Sequence, residues 1–380
     1  MHSHHLRRRL YPTVALALLA IQIPTFAQAP NWYDRIQLNG DLRVRQDYIS
    51  KESSGDTSAR HRTRMRLRLG TQALITEDLT ALVRLATGDN ANPIGGDSTW
   101  TDNANKKNIY VDRAYLDWKF AEDMNALLGK QANPLPPLKD SQLIYDDDYA
   151  PEGLSWTLRG PLFATIGAYV IKEREPGNTG ASDPDSYLLA AVTGWRGNLT
   201  DDWKFTVGAG YHAFTAIKNH GPLPPGNTTT VTAGSFLGNS NSGSVFLNDY
   251  NVVELFGELV WEISKDHGLS FYVDAIQNVD IGQDNTGLVA GTTFVIRDEE
   301  KPLWTLGYAY QTVAKDATLS AVNSSDFAMG LDGAFGHIGT VARRVAPNTT
   351  VKLSWFHTQI DNNGSPWDSD RGQLDVMASF

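Results

Sequence analysis

The chain has 380 residues, no cysteine, 43 acidic against 33 basic residues and a formal net charge of −10. Its length admits one large domain or about two or three ordinary ones, yet no charge block or Pro/Gly-rich linker divides it. The acidic balance argues against a nucleic-acid binder, which carries a basic face, and the lack of cysteine excludes a disulfide scaffold.

At the N-terminus, "MHSHHLRRRL" is basic, "VALALLAIQI" is apolar, and "PTFAQA" supplies small residues, with Thr25 and Ala27 at −3 and −1 of a cleavage point. This layout predicts a secretory signal peptide over residues 1–27. The apolar run is too short for a helical span, which needs about 20 residues. His2, His4 and His5 leave with the signal and are not read as metal ligands. Loss of Arg7, Arg8 and Arg9 from the 33 basic residues leaves 30 against 43 acidic, a net charge of −13. No later segment is long and apolar enough for a membrane helix.

Residues 28–380 instead alternate apolar and polar side chains in runs of roughly ten. That is the pattern of strands whose two faces meet different solvents. The alternation predicts strands at 36–48, 62–74, 79–87, 108–119, 124–130, 153–159, 162–172 and 186–199. Eight more follow at 203–215, 250–263, 268–278, 286–297, 303–314, 333–343, 349–359 and 370–380. Connections after even-numbered strands are short, as in "ITED", "TDD" and "SKDH", while most others are long and polar. The reading is an all-β transmembrane antiparallel β-barrel of about 16 strands (14–18), with short periplasmic turns and long extracellular loops. Both termini then lie on the short-turn side.

Aromatic spacing points the same way. Tyr110 with Trp118, Tyr187 with Trp195, and Trp203 with Tyr211 stand eight residues apart, each Trp nearer a short turn and each Tyr nearer a long loop. Trp304 and Tyr310 share that polarity. Eight residues at about 3.3 Å rise, tilted by about 40°, cover roughly 20 Å of membrane normal, the separation of two interfacial girdles.

In "HRTRMRLRLG" (61–70), arginines at 62, 64, 66 and 68 alternate with Met65, Leu67 and Leu69. An arginine facing lipid costs roughly 2–4 kcal/mol near the midplane, so the arginines are assigned to the inside. Arg43, Arg45, Arg64, Arg66, Arg68, Arg84 and Arg113 are the candidate pore-lining cations, with Asp41, Asp47 and Asp117 on the same face to pair some of them. They form either a selectivity wall or a wall braced by salt bridges. The connection 131–152 starts with the stiff "NPLPPLKD" and contains "YDDDY". It is expected to fold into the lumen and set Asp146, Asp147 and Asp148 against the arginines; an exposed acidic loop tip is the other reading. A calcium site lacks the wider ligand pattern. Glu254, Glu258 and Glu262 share the inward face of the tenth strand. Carboxylates there, opposite the arginines, would set a transverse field across a constriction.

Taken with the signal and the terminal Phe380, the segments "RHRTRMRLRLG", "VDRAYLDWKF", "LLGKQANPL", "YDDDYAPEG" and "LDVMASF" resemble the putative porin family of Gram-negative outer membranes, and more distantly the phosphate-selective porins. The resemblance implies a channel in the bacterial outer membrane for passive diffusion of small hydrophilic solutes or ions; local arginine density adds a weak preference for anions. It implies outer-membrane lipid as a partner, and barrel-insertion machinery that reads the last strand through Phe380. A homotrimer follows from the resemblance alone, since many sixteen-strand porins are trimers. No cofactor, metal or nucleic acid is expected. The alternatives are an outer-membrane β-barrel adhesin or structural protein and, further off, a barrel enzyme, for which the chain offers neither G-x-S-x-G nor H-E-x-x-H.

Overall fold

Period-two alternation places one set of side chains on each face of a pleated ladder. In the computed structural model the alternating runs become sixteen long strands. The structure describes residues 32–380 except 54–55, 102, 137, 175–183, 227–228 and 362–365; the signal read at 1–27 lies outside the described residues. The strands are β1 (Ile36–Ser53), β2 (Asp56–Leu74), β3 (Leu79–Thr87), β4 (Ile109–Ala121), β5 (Met124–Lys130), β6 (Glu152–Leu158), β7 (Leu162–Lys172) and β8 (Ser186–Asn198). There follow β9 (Trp203–Phe214), β10 (Tyr250–Ser264), β11 (His267–Asn278), β12 (Thr286–Asp298), β13 (Lys301–Val313), β14 (Ala334–Ala346), β15 (Thr349–Ile360) and β16 (Trp367–Ser379).

Each strand pairs antiparallel with its sequence neighbours, and β1 also pairs with β16 from Asp41 opposite Ser379 to Glu52 opposite Asp368. The ring is therefore closed, and no long strand is left with an open edge. Phe380 seals the seam by exchanging backbone hydrogen bonds with Gly40, at 2.8 and 2.9 Å. One rim carries tight turns. Between β12 and β13 the turn is Glu299–Glu300, both at positive φ (49° and 64°), the twist-matched two-residue hairpin. The long connections gather at the other rim. No helix of the described residues is long and apolar enough to cross a membrane.

The outer face is apolar and uncovered. Leu128, Ile166, Leu255 and Leu353 are each more than half exposed, a distribution that suits lipid and would be an aggregation hazard in water. Trp118, Trp156 and Trp195 stand outward towards the tight-turn rim, where Trp203 stacks on Trp261 at 5.4 Å. Tyr187, Tyr211, Tyr308 and Tyr310 stand outward towards the long-loop rim. Tyr110 departs from the expected pairing with Trp118. A bulge at Asp112–Arg113 shifts the β3–β4 register and turns Tyr110 inward, into a cavity shared with Arg68 and Asp148. One extra residue reverses every side chain beyond it.

β1 and β2 run about five residues further than the alternation predicts and pair out to Ser53 opposite Asp56. That tip is polar on both faces, so no hydrophobic signal marks it as strand. Inside, the wall from β7 to β13 carries an apolar cluster, in which Phe163, Phe214, Tyr250, Val289 and Ala309 pack with side chains from the long connections, including Leu143, Phe236 and Leu319, around a few buried polar groups such as His212, Glu254 and Asp274. The opposite wall is ionic.

Candidate functional site

Two neighbouring strands build the ionic wall. Register puts Arg43 opposite Arg66 and Arg45 opposite Arg64, with Asp41 opposite Arg68 and Asp47 opposite Arg62 at the two ends. Like charges facing one another across a ladder repel, so carboxylates must reach the middle rungs from elsewhere. They come from β16 and from three long connections. Arg45 is bidentate to Asp375 of β16, at 2.7 and 2.9 Å, and also reaches Asp326 at 3.2 Å. Asp97, in the connection after β3, takes Arg43 at 2.7 Å and Arg64 at 3.3 Å. Asp148 takes Arg66 at 3.0 Å and Arg68 at 3.3 Å, while Asp41 takes Arg68 at 2.7 Å. Arg371 of β16 joins Asp47 at 2.9 Å to Asp326 at 3.0 Å, and Arg62 completes the set on Asp47 at 2.6 Å.

Among the described residues this network holds seven arginines (43, 45, 62, 64, 66, 68 and 371) and six aspartates (41, 47, 97, 148, 326 and 375). Burial opposes ionisation at Asp97, but Arg43, Arg64 and Arg45 outweigh it and hold the carboxyl below its ordinary range. Burial opposes it at Asp326 as well; there Arg371 and Arg45 prevail and hold the group well down. Arg84 is paired with Asp112. Arg113, beside it on the same face, has no hydrogen-bond partner at Nε, and Asp117 accepts from Asn125 instead of an arginine.

The connection 131–151 links the two walls. Its ends meet where Gln131 N donates to Pro151 O at 2.9 Å. Between them, Pro134 O accepts from Thr165 of β7 at 3.2 Å, and Asp140 accepts from Thr293 of β12 at 2.8 Å. Ser141 donates to Asp274 of β11 at 2.5 Å, and Tyr145 Oη lies 2.9 Å from His212 Nδ1 of β9. The stretch then returns to β2 through Asp148.

The three aspartates of "YDDDY" have different surroundings. Asp148 meets the arginines. Asp147 is exposed. Asp146 turns away from the wall, accepting from the backbone N–H of Ser325 and of Asp148, both at 2.8 Å. The three glutamates of β10 also face inward in different settings. Glu254 is 3 % exposed, with Oε2 3.1 Å from His212 Nε2. Glu258 is half-buried, and Glu262 pairs with Lys204 at 3.2 Å and Arg297 at 2.9 Å near the tight-turn rim.

Burial, and then the neighbouring charge of Asp148, push the Asp146 carboxyl up to about 7 from an ordinary 3.8. Between those values the folded chain binds the extra proton. The contribution of Asp146 to holding the loop is therefore full below about pH 4, falls as pH rises and is lost above about 7. Current fluctuations through single molecules in a planar bilayer are expected to grow between about pH 5 and 8, and Asp146→Asn should flatten that slope. An identical slope in the variant would remove Asp146 as the cause.

Of the cations and carboxylates in the network, Asp97, Asp326, Asp375 and Arg371 escape a reading of local motifs. Arg371 and Asp375 had a usable signal, because Leu374 and Val376 fix the outward phase of β16 and leave both on the inward phase. Asp97 and Asp326 lie in connections without periodicity.

Comparison with known proteins adds three findings. Residues 50–234 match the family model described as "Putative porin". No curated protein sequence matches the chain. Among solved structures, Pseudomonas putida OprB, in a structure described as its high-pH form, aligns with a TM-score of 0.57 at 12 % identity, over 92 % of this chain and 95 % of that one. A substituted variant of the Rhodopseudomonas blastica porin aligns with a TM-score of 0.50 at 11 % identity, over 91 % of this chain and 100 % of that one. At such identities the likeness is one of fold.

Proposed function

We propose, since residues 50–234 match the putative porin family and the strands between residues 36 and 379 close as a barrel of porin fold, that this protein is a passive channel of the bacterial outer membrane. It passes small hydrophilic solutes or ions, its tight turns face the periplasm, and it catalyses nothing. The observation that carries this reading is the reversal of polarity across one ladder. On β2, Met65, Leu67 and Leu69 point outward while Arg64, Arg66 and Arg68 point inward. Charges on the inner wall are tolerable only away from lipid, paired with one another or beside water, and an uncovered apolar outer wall requires lipid.

The connection 131–151 supports a constriction, since it reaches β2, β7, β9, β11 and β12 from inside. A weak anion preference belongs to the same reading. Seven arginines against six aspartates leave the network one positive charge in excess, and Arg113 adds another. The opposing field is reduced because Glu254 is buried behind the loop.

Replacing Arg64, Arg66 and Arg68 together with Gln leaves four arginines to six aspartates. The reversal potential in a salt gradient is then expected to change from weakly anion-selective to cation-selective. An unchanged potential would show that this wall does not set selectivity.

A further inference from the structure

Below the crossing connection, towards the tight-turn rim, a cavity of about 620 Å³ opens against β6, β7 and β8. That lies within the range of roughly 300–1,000 Å³ typical of small-molecule sites. Its roof is the stretch Pro134, Leu135 and Pro136, tied to β7 by the Thr165 hydroxyl. Phe163 and Val192 give it an apolar wall.

Two arginines border the cavity, Arg159 at the end of β6 and Arg196 on β8. Arg196 lies 4.3 Å from the centroid of the Phe163 ring, a cation–π placement that fixes the guanidinium at the edge of the apolar wall. Among the described residues, neither guanidinium has a side-chain hydrogen bond or an ion pair. This contrasts with the seven arginines of the ionic network (43, 45, 62, 64, 66, 68 and 371), each of which meets at least one aspartate. Thr157 supplies a further observation. It lines the same space, is 7 % exposed, and its Oγ1 has no hydrogen-bond partner. A buried hydroxyl is ordinarily satisfied, and leaving one unmet is costly.

We propose that this cavity is a binding subsite for small carboxylates that carry an apolar body. The carboxylate is taken by the planar forks of Arg159 and Arg196, which match its geometry. The apolar body lies against Phe163 and Leu135, and the Thr157 hydroxyl finds in the ligand the partner it lacks. Bare inorganic anions gain nothing from the apolar wall, and neutral analogues gain nothing from the arginines. The subsite deepens the channel reading and rests on it only for the route by which the solute arrives.

Isothermal titration of benzoate into the detergent-solubilised barrel tests this without requiring conduction. Saturable binding is expected for the unsubstituted protein, with none for benzyl alcohol. Arg159→Gln and Arg196→Gln should each weaken benzoate by about tenfold, the scale of a lost charge-assisted contact. Thr157→Val, close to isosteric, should weaken it several-fold and keeps the test informative if an arginine variant fails to fold. Absence of saturable binding, or binding unchanged in these variants, overturns the subsite. A barrel that conducts in bilayers yet binds no benzoate overturns the subsite alone.

Discussion

Replacing residues 134–149 by a short Gly-Ser linker is expected to raise single-channel conductance about threefold or more, because the narrowest obstacle sets the resistance of a pore. The ends need little bridging, since Gln131 and Pro151 are already hydrogen-bonded. The barrel itself closes through its own ladder and does not depend on this connection for backbone pairing. Removed with the segment are Tyr145, against His212, and Asp148, against Arg66 and Arg68. The lumen loses its crossing strut and the arginine wall loses one carboxylate. Conductance and anion preference should therefore rise together. Single-channel recording of the linker variant beside the unsubstituted protein reads the two effects at once, and unchanged current steps would place the connection outside the conducting path.

The second large effect concerns stability. Arg45 and Asp375 are 5 % and 2 % exposed, and Asp375 has no other ion-pair partner among the described residues. Arg45→Met would strand a buried carboxylate and weaken the hold on Asp326. Breaking a buried pair from one side costs about 3–5 kcal/mol, read as a lowered urea midpoint for unfolding from detergent or lipid. The double variant Arg45→Met with Asp375→Leu should recover most of that loss, because two apolar residues of similar volume replace two desolvated charges. A single variant as stable as the unsubstituted protein would mean that water reaches Asp375 freely and that this part of the wall is wet.

Much of the fold was legible because one physical rule covers every spanning segment. β3, β5 and β7 begin and end where the alternation does, and the even strand count and the alternation of short and long connections follow from the same rule. The extension of β1 and β2 to Ser53 and Asp56 was not legible, since polar residues paired above the membrane carry no periodic contrast. Nor was the inward turn of Tyr110, because a single bulged residue at Asp112–Arg113 leaves no mark in hydropathy.

The candidate site divides in the same way. The inward phase of Arg43, Arg45, Arg64, Arg66 and Arg68 could be read from their apolar neighbours. Their partners could not: Arg45 meets Asp326 and Asp375 across 281 and 330 residues of chain, a meeting that only ring closure and the path of a long connection determine. The apolar filling of the far wall, with Phe214, Tyr250 and Val289 against loop side chains, was hidden for a related reason. Inward apolar residues there blur the alternation that elsewhere separates the inner face from the outer.

A channel of this kind requires that the outer face of each strand meet hydrocarbon and that part of the inner face meet water. Planar-bilayer recording of the purified barrel tests it most directly. Discrete, stepwise current increments that scale with salt concentration are the expected result. A bilayer that stays silent while the protein remains folded and dissolved without detergent would contradict it.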